Sequence, residues 1–211
     1  NPHMGTRLQL ALEYSGRLFG SYPEFWISKT QVAGYIPIGR STFVLQTVIH
    51  RAFIANPFVN WSKLEEESGT GPLGGDRQVR GYAKDSINVD TLAQSTRART
   101  SPWEGAWRLQ GNAEMRFLLA KQVLFGDLHG ALFNDVGFLT LCTGMWNCKP
   151  PNDPDAQDKS FQKFGWGLGV GLRHLLPIGP LTLDFALAPL EKAQGPFGRQ
   201  WRIHFSFGYP I

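Results

Sequence analysis

The segment WRIHFSFGYPI (201–211) has the clearest pattern in the chain, because apolar and polar residues alternate along it. One face is wholly apolar and carries Trp201, Ile203, Phe205, Phe207 and Tyr209. The opposite face carries Arg202, His204, Ser206, Gly208 and Pro210. A period of two residues is that of a β-strand and not of a helix. The segment therefore predicts a strand with one apolar and one polar face.

The same alternation recurs upstream, most clearly in TRLQLALEYSG (6–16), AWRLQGNAEMRFLL (106–119), GWGLGVGLRHLL (165–176) and LTLDFALAP (181–189). Together with three less regular segments, it predicts about eight antiparallel strands, at 6–19, 25–36, 42–54, 105–119, 124–139, 163–176, 181–189 and 200–210. Short turns are expected at 37–41, 119–123 and 177–180, and long loops at 55–104, 139–162 and 189–199. Short turns at one end and long loops at the other are typical of outer-membrane β-barrels.

Composition agrees with an all-β antiparallel transmembrane barrel. Only 18% of residues are charged, and no apolar run reaches the roughly 18 residues of a membrane-spanning helix. Tryptophans lie near four predicted strand starts, as in an aromatic girdle: Trp26, Trp107, Trp166 and Trp201. A soluble lipocalin-like barrel or β-sandwich is the alternative fold. The net charge of +4 is spread along the chain, which argues against nucleic acid as a partner.

The two ends of the chain and its cysteines lead to further expectations. Asn1–Met4 resembles an expression scar, so the barrel domain is expected over residues 5–211. Cys142 and Cys148 are the only two cysteines, and two ligands alone make a poor metal site. We expect them to form a disulfide that closes a small loop, with two free thiols as the alternative. We expect neither a metal nor a cofactor.

The loop 55–104 contains GPLGGDRQVRGYAKDSI (71–87), in which Arg80 follows Val79 and precedes Gly81 and Tyr82. An arginine at this place could dock in a barrel lumen by pairing with a buried carboxylate. Asp135 lies on the polar face of its predicted strand, and two further carboxylates point inward: Glu114 and Asp184. A row of glycines would leave room for the loop against the inner wall: Gly165, Gly167, Gly169 and Gly171. The alternative is that Arg80 is a solvated loop cation.

Four motifs together resemble those of the BamA/TamA-type outer-membrane assembly factors and the related two-partner secretion transporters. In order along the chain they are VRGY (79–82), FNDVGF (133–138), GVGLRHLLPIGPLTLDFALAP (169–189) and RIHFSFGYP (202–210). The resemblance runs from about residue 6 to 211. It implies that Val79–Tyr82 is the tip of a lid loop, with Asp135 as the partner of Arg80.

The resemblance also implies a function at the bacterial outer membrane. Members insert or transport unfolded outer-membrane or secreted proteins, which add their strands to a barrel edge without an enzymatic reaction. The partners implied are outer-membrane lipid and those unfolded proteins. The alternative is a membrane anchor or secretion barrel for a passenger domain absent from this chain. An enzyme within the barrel is not expected, since no GxSxG motif occurs.

The number of strands departs from the family pattern. Family barrels have about 16 strands, whereas this chain resembles only the C-terminal half of such a barrel. A closed barrel of about eight strands would be filled by its own side chains, so that the lid loop would not fit inside it. The chain is therefore expected to be half of a larger barrel or a short member of the family. A short member could keep the loop outside the barrel, or it could pair with a second copy as a homodimer.

Overall fold

The computed structural model describes residues 4–15, 25–54, 73–75, 78–84, 86–87, 105–142, 162–177, 179–190 and 201–207. Eight strands form one antiparallel sheet in which each strand pairs with the next along the chain. They are β1 Gly5–Ser15, β2 Phe25–Ile38, β3 Ser41–Ile54, β4 Gly105–Val123, β5 Gly126–Cys142, β6 Gln162–Leu176, β7 Gly179–Leu187 and β8 Trp201–Phe207. The predicted all-β fold with about eight antiparallel strands is confirmed. Among the described residues, no helix is long and apolar enough to cross a membrane.

The two faces of the sheet differ in a way that favours a transmembrane barrel over a soluble fold. One face exposes large apolar side chains along its whole width, from Leu12 of β1, at 72% exposed, to Phe205 of β8, at 64%. The other face buries charged side chains, among them Glu114 and Asp135. A soluble sheet would bury its apolar face and expose its charges. Lipid outside and a polar interior explain both observations, as in a transmembrane barrel.

The turns at the short-turn end agree with prediction in two cases out of three. Gly39 and Arg40 link β2 to β3, and β6 ends at Leu176 just before β7 begins at Gly179. The turn predicted at 119–123 is wrong, because β4 continues to Val123 and the turn is formed by Leu124 and Phe125. Both turn residues have left-handed φ angles, a conformation that glycine or asparagine usually signals in a sequence. Register shifts along β4 also hide its end.

Several expectations lie outside the described residues. These are the ends of the loop 55–104, most of the other two long loops, and Asn1–His3 of the proposed expression scar. The same holds for Cys148 and the side chain of Cys142, so the disulfide stays a prediction. The predicted first strand, 6–19, is described as far as Ser15.

The sheet has two outer strands. Pairing runs from β1 to β8 through each neighbour in turn, and within the described residues nothing pairs β1 with β8. The register also aligns rows of residues across the strands. One polar row joins Asn112 of β4, Asp135 of β5 and Gly167 of β6, and it forms the floor of the site described next.

Candidate functional site

Residues 73–87 are here called the lid segment, and the two ends of its described part, 73–75 and 86–87, are joined. The backbone N–H groups of Leu73 and Ile87 each donate to the other's carbonyl oxygen, both at 2.9 Å. The N–H of Gly74 donates to Oε1 of Gln78 at 2.9 Å. At Gly74, φ is +123°, and an added Cβ would lie 2.2 Å from the carbonyl oxygen of Ala83. The loop is therefore held together by hydrogen bonds among its own residues, as in an Ω-loop.

The lid segment packs on the polar face of the sheet, over glycines of β5 and β6. An added Cβ at Gly137 would lie 2.6 Å from Val79, one at Gly165 would lie 2.2 Å from Ile87, and one at Gly167 would lie 1.9 Å from the carbonyl oxygen of Arg80. A Cβ at Gly167 would collide with the backbone of the segment, whereas at Gly137 and Gly165 the side chains of Val79 and Ile87 would have to shift. Of the predicted glycine row, Gly165 and Gly167 thus make the room for the loop. At the other two positions of the row an added Cβ would meet the sheet itself: the backbone of Phe185 and the ring of Phe133 at Gly169, and the side chains of Asp184 and Arg173 at Gly171.

Arg80 is anchored in this face by Asp135, which is 0% exposed. Nε of Arg80 donates to Oδ2 of Asp135 at 2.7 Å, and Nη2 donates to Oδ1 at 2.8 Å. The backbone N–H of Arg80 donates to Oδ2 as well, at 3.1 Å, and the Asn112 side chain donates to Oδ1. The guanidinium carbon lies 3.5 Å from the centre of the Phe133 ring. A bidentate pair combined with a cation–π contact requires a planar guanidinium, which lysine lacks.

The remaining nitrogen of Arg80 binds both other inward carboxylates. Nη1 donates to Glu114 at 3.0 Å and to Asp184 at 3.2 Å. Arg173 of β6 bridges the same two carboxylates, and Arg116 donates to Glu114 at 2.7 Å. Three guanidinium groups thus face three carboxylates, with no net charge. We call this group the ion cluster; it consists of Arg80, Glu114, Arg116, Asp135, Arg173 and Asp184.

The electrostatics of the ion cluster keep Arg80 charged when the lid segment is docked. Burial alone would lower the pKa of Arg80. The hydrogen bond and charge of Asp135, aided by Glu114 and Asp184, outweigh this effect and raise that pKa. Leaving a charge buried without its partner is costly. Docking of the lid segment and integrity of the ion cluster are therefore linked.

The tip of the lid segment touches the last two strands. At Gly81, φ is +96°, and an added Cβ would lie 2.7 Å from the carbonyl oxygen of Leu187. Its N–H donates to Nε2 of His204 on β8 at 3.2 Å. Tyr82 is buried, and its hydroxyl oxygen accepts from the backbone N–H of Trp166 at 3.4 Å. All four residues of VRGY are thus packed inward, and one of them joins the lid segment to an outer strand.

The structure brings together all the residues that the sequence singled out in this region. Arg80 contacts Asp135, and the other two inward carboxylates bind the same guanidinium. The sequence did not single out Arg116, Arg173 or His204, although the alternation had placed each on a polar face. No group of residues that could hold a metal is present in the described part of the chain.

His204→Ala is expected to loosen the tip of the lid segment without releasing Arg80. The change removes the acceptor of the Gly81 N–H, and a buried donor left unsatisfied costs about 1–3 kcal/mol. A cysteine in place of Val79, which is 0% exposed, reports on docking, because a maleimide reaches it only when the segment lifts. With Cys142→Ser and Cys148→Ser as background, we expect labelling of this reporter to become roughly tenfold faster.

Two further variants serve as controls for that measurement. Ser206 lies on the same face of β8 and bonds to Thr182, so Ser206→Ala should leave the labelling rate unchanged. His204→Gln keeps a side-chain acceptor and should restore slow labelling. If Ser206→Ala labels as fast as His204→Ala, the effect comes from β8 as a whole and not from the bond to Gly81.

Comparison with known protein families gives a match over almost the whole chain. A family model described as the Omp85 superfamily domain matches residues 1–210. The matched range includes all eight strands of the sheet, with its apolar outer surface. It also includes the lid segment that is docked on the polar face. The chain belongs to the Omp85 superfamily, whose members are β-barrels of the outer membrane in the class of protein-insertion and transport factors.

Proposed function

We propose that the chain inserts or translocates unfolded outer-membrane or secreted proteins at the bacterial outer membrane by pairing their strands with the open edge of β8. The process is physical: main-chain hydrogen bonds form along the edge and guide the incoming strand into lipid. It involves no covalent step and no cofactor. The lipid of the outer membrane is the second partner, since it receives the apolar face of each new strand.

The observation that carries this proposal is that β8 is an outer strand of the sheet. It pairs with β7 from Leu181↔Phe207 to Leu187↔Trp201, and among the described residues no strand pairs with its other side. A free strand edge offers unpaired N–H and C=O groups, which act as a template for another strand. In a bilayer the drive to pair them is strong, because no water is present to satisfy them.

The lid segment supports the same proposal, because it makes the edge rigid. His204 of β8 bonds to Gly81 of the lid segment, and Arg80 of the same segment is bound to strands β4, β5 and β7 through the ion cluster. The outer strand is thus tied to the middle of the sheet by a second route besides its pairing with β7. A template held in one conformation binds an incoming strand with a smaller loss of entropy.

Reconstitution into lipid vesicles tests the proposal. An unfolded β-barrel protein is diluted from urea into vesicles that contain the chain, and its folding is followed by the shift in gel mobility between unheated and heated samples. We expect folding to be several-fold faster than in vesicles that contain an equal mass of a closed barrel. Equal rates would contradict the proposal and would favour the alternative of an anchor for a passenger domain.

A photo-crosslinking amino acid shows where the substrate binds. Phe205 of the outer strand and Leu45 of the central strand β3 both expose their side chains on the lipid-facing surface, so they form a matched pair. We expect the substrate to be linked from position 205 during folding and not from position 45. Equal linking from both positions would exclude strand addition at β8.

A further inference from the structure

An arginine lies on the lipid-facing surface of the sheet. Arg51 shares a face of β3 with Leu45, which is 51% exposed on that surface. Val44 and Val48 occupy alternate positions and are buried on the polar face. The guanidinium carbon of Arg51 lies 4.5 Å from the centre of the Trp107 ring on β4, and the register pairs the same two residues. The cation is therefore held against the outer wall of the sheet.

Neighbouring side chains mark this part of the surface as the boundary between lipid and water. The rings of Tyr14 and Trp26 have centroids 4.5 Å apart, and Trp26 is 44% exposed. Tyrosine and tryptophan concentrate at the depth of the lipid headgroups. Next to Trp26 on the same face of β2 is Ser28, which is exposed and is paired with Arg51 in the register. A guanidinium group and a hydroxyl group are thus presented together at headgroup depth.

The position of Arg51 along β3 indicates which leaflet it meets. Arg51 is near the end of β3 at Ile54, whereas the short β2–β3 turn lies at the other end of the strand. In outer-membrane barrels the short turns are periplasmic and the longer loops are extracellular. An arginine on the lipid-facing side is costly at the centre of the bilayer but nearly neutral at the interface. Arg51 is therefore placed among the headgroups of the outer leaflet.

The outward surface of the described strands carries positive but no negative charge. All carboxylates of these strands lie at positions of the polar face: Glu13, Glu114, Asp127, Asp135 and Asp184. At the end where Arg51 lies, the lipid-facing surface therefore attracts anions. Within a membrane, the anionic groups at this depth are phosphates of lipid headgroups.

We infer that Arg51, with Ser28 and Trp107, forms a binding site for a phosphate group of lipid A, the phosphorylated glycolipid of the outer leaflet. A guanidinium group donates two parallel hydrogen bonds to a phosphate, and the hydroxyl of Ser28 is placed to donate another. The cation–π contact with Trp107 keeps the guanidinium beside the bilayer. The acyl chains of the same lipid lie on the apolar surface that continues along β3 to Leu45.

Native mass spectrometry of the chain in detergent tests the site, with purified lipid A as the probe. We expect Arg51→Gln to weaken the binding of lipid A about tenfold or more, because hydrogen bonds to charged groups are stronger than neutral ones. Arg51→Lys keeps the charge but loses the paired donors, so its affinity should be intermediate. Lys121→Gln is the matched control, since Lys121 is exposed near the opposite end of the sheet, on β4. It should bind lipid A as the unchanged chain does.

A second comparison changes the lipid and so does not depend on the folding of a variant. Removing the phosphate groups from lipid A should weaken its binding to the unchanged chain and abolish the difference between that chain and Arg51→Gln. Inorganic phosphate in large excess should not displace lipid A.

Four outcomes would overturn the inference. Arg51→Gln could bind lipid A like the unchanged chain, or Arg51→Gln and Lys121→Gln could weaken binding equally. Lipid A could bind equally well with and without its phosphate groups. Displacement by inorganic phosphate would assign the site to a free anion and not to a lipid.

The inference does not rest on the proposed function, and the two fail separately. The site lies on β2, β3 and β4, so it leaves the edge of β8 open. Binding of lipid A by a chain that does not accelerate the folding of other barrels would contradict only the proposed function. A chain that accelerates folding but binds lipid A equally with and without phosphate would contradict only the lipid site.

Discussion

Arg80→Ala is expected to release the lid segment from the sheet. The change leaves Asp135 buried without its main partner and gives the ion cluster a net negative charge. Removing one partner of a buried ion pair typically costs about 3–5 kcal/mol. Since each 1.4 kcal/mol corresponds to a factor of ten, labelling of the Val79→Cys reporter should become about 100-fold faster or more. Vesicle-assisted folding of other barrels should fall together with docking.

A variant of Asp135, the partner of Arg80, gives a sharper test of this anchor. Asp135→Ala should have an effect of similar size, and the double variant should be no worse than either single one, because both changes break the same interaction. Arg80→Lys keeps the charge but loses the bidentate geometry, so its effect should be intermediate. Arg40→Ala is the control, since Arg40 is exposed in the β2–β3 turn. Independent, additive losses at positions 80 and 135 would refute a single shared anchor.

Gly167→Ala is expected to displace the lid segment although it removes no interaction. The added Cβ would lie 1.9 Å from the carbonyl oxygen of Arg80. That oxygen belongs to the backbone, so no flexible side chain can move aside. Overpacking of this kind costs about 1–3 kcal/mol, and the shift also misplaces the guanidinium over Asp135. We expect reporter labelling to become roughly tenfold to 100-fold faster.

A second glycine provides the matched control. Gly34 lies within β2, and an added Cβ there meets no atom within 4 Å. Gly34→Ala should leave labelling unchanged, and it should stabilise the strand slightly because glycine is about 0.5–1 kcal/mol less favourable than alanine in an element interior. If the two alanine variants label at the same rate, the close approach at Gly167 does not govern docking.

The sequence predicts the strands well because their physical signal is local. An alternation of two faces can be read from one strand without its neighbours, as Trp201–Phe207 shows. The end of β4 could not be read in this way. Its turn relies on Leu124 and Phe125 in left-handed conformations, where a glycine or an asparagine would have marked the place.

The site is predicted less completely, because contacts across strands depend on register. The sequence offered three inward carboxylates as alternative partners for Arg80, but the structure uses all three at once. Arg173 lies in the alternating segment 165–176, but the alternation does not show that it bridges Glu114 and Asp184. The face on which a side chain lies follows from its own strand alone. The contacts that bridge two carboxylates depend on how three strands and a loop are placed relative to one another.

The four hydrogen bonds that Asp135 accepts, three from Arg80 and one from Asn112, have a consequence for the proposed function. A carboxylate offers about four lone-pair sites, and here donors of the protein itself occupy that number. A polypeptide that passes along the lumen would therefore find no vacant acceptor at this acid, and a balanced set of charges around it exerts little attraction at a distance. Under the proposed function, Asp135, the most deeply buried acid among the described residues, would therefore not hold back basic segments of a substrate.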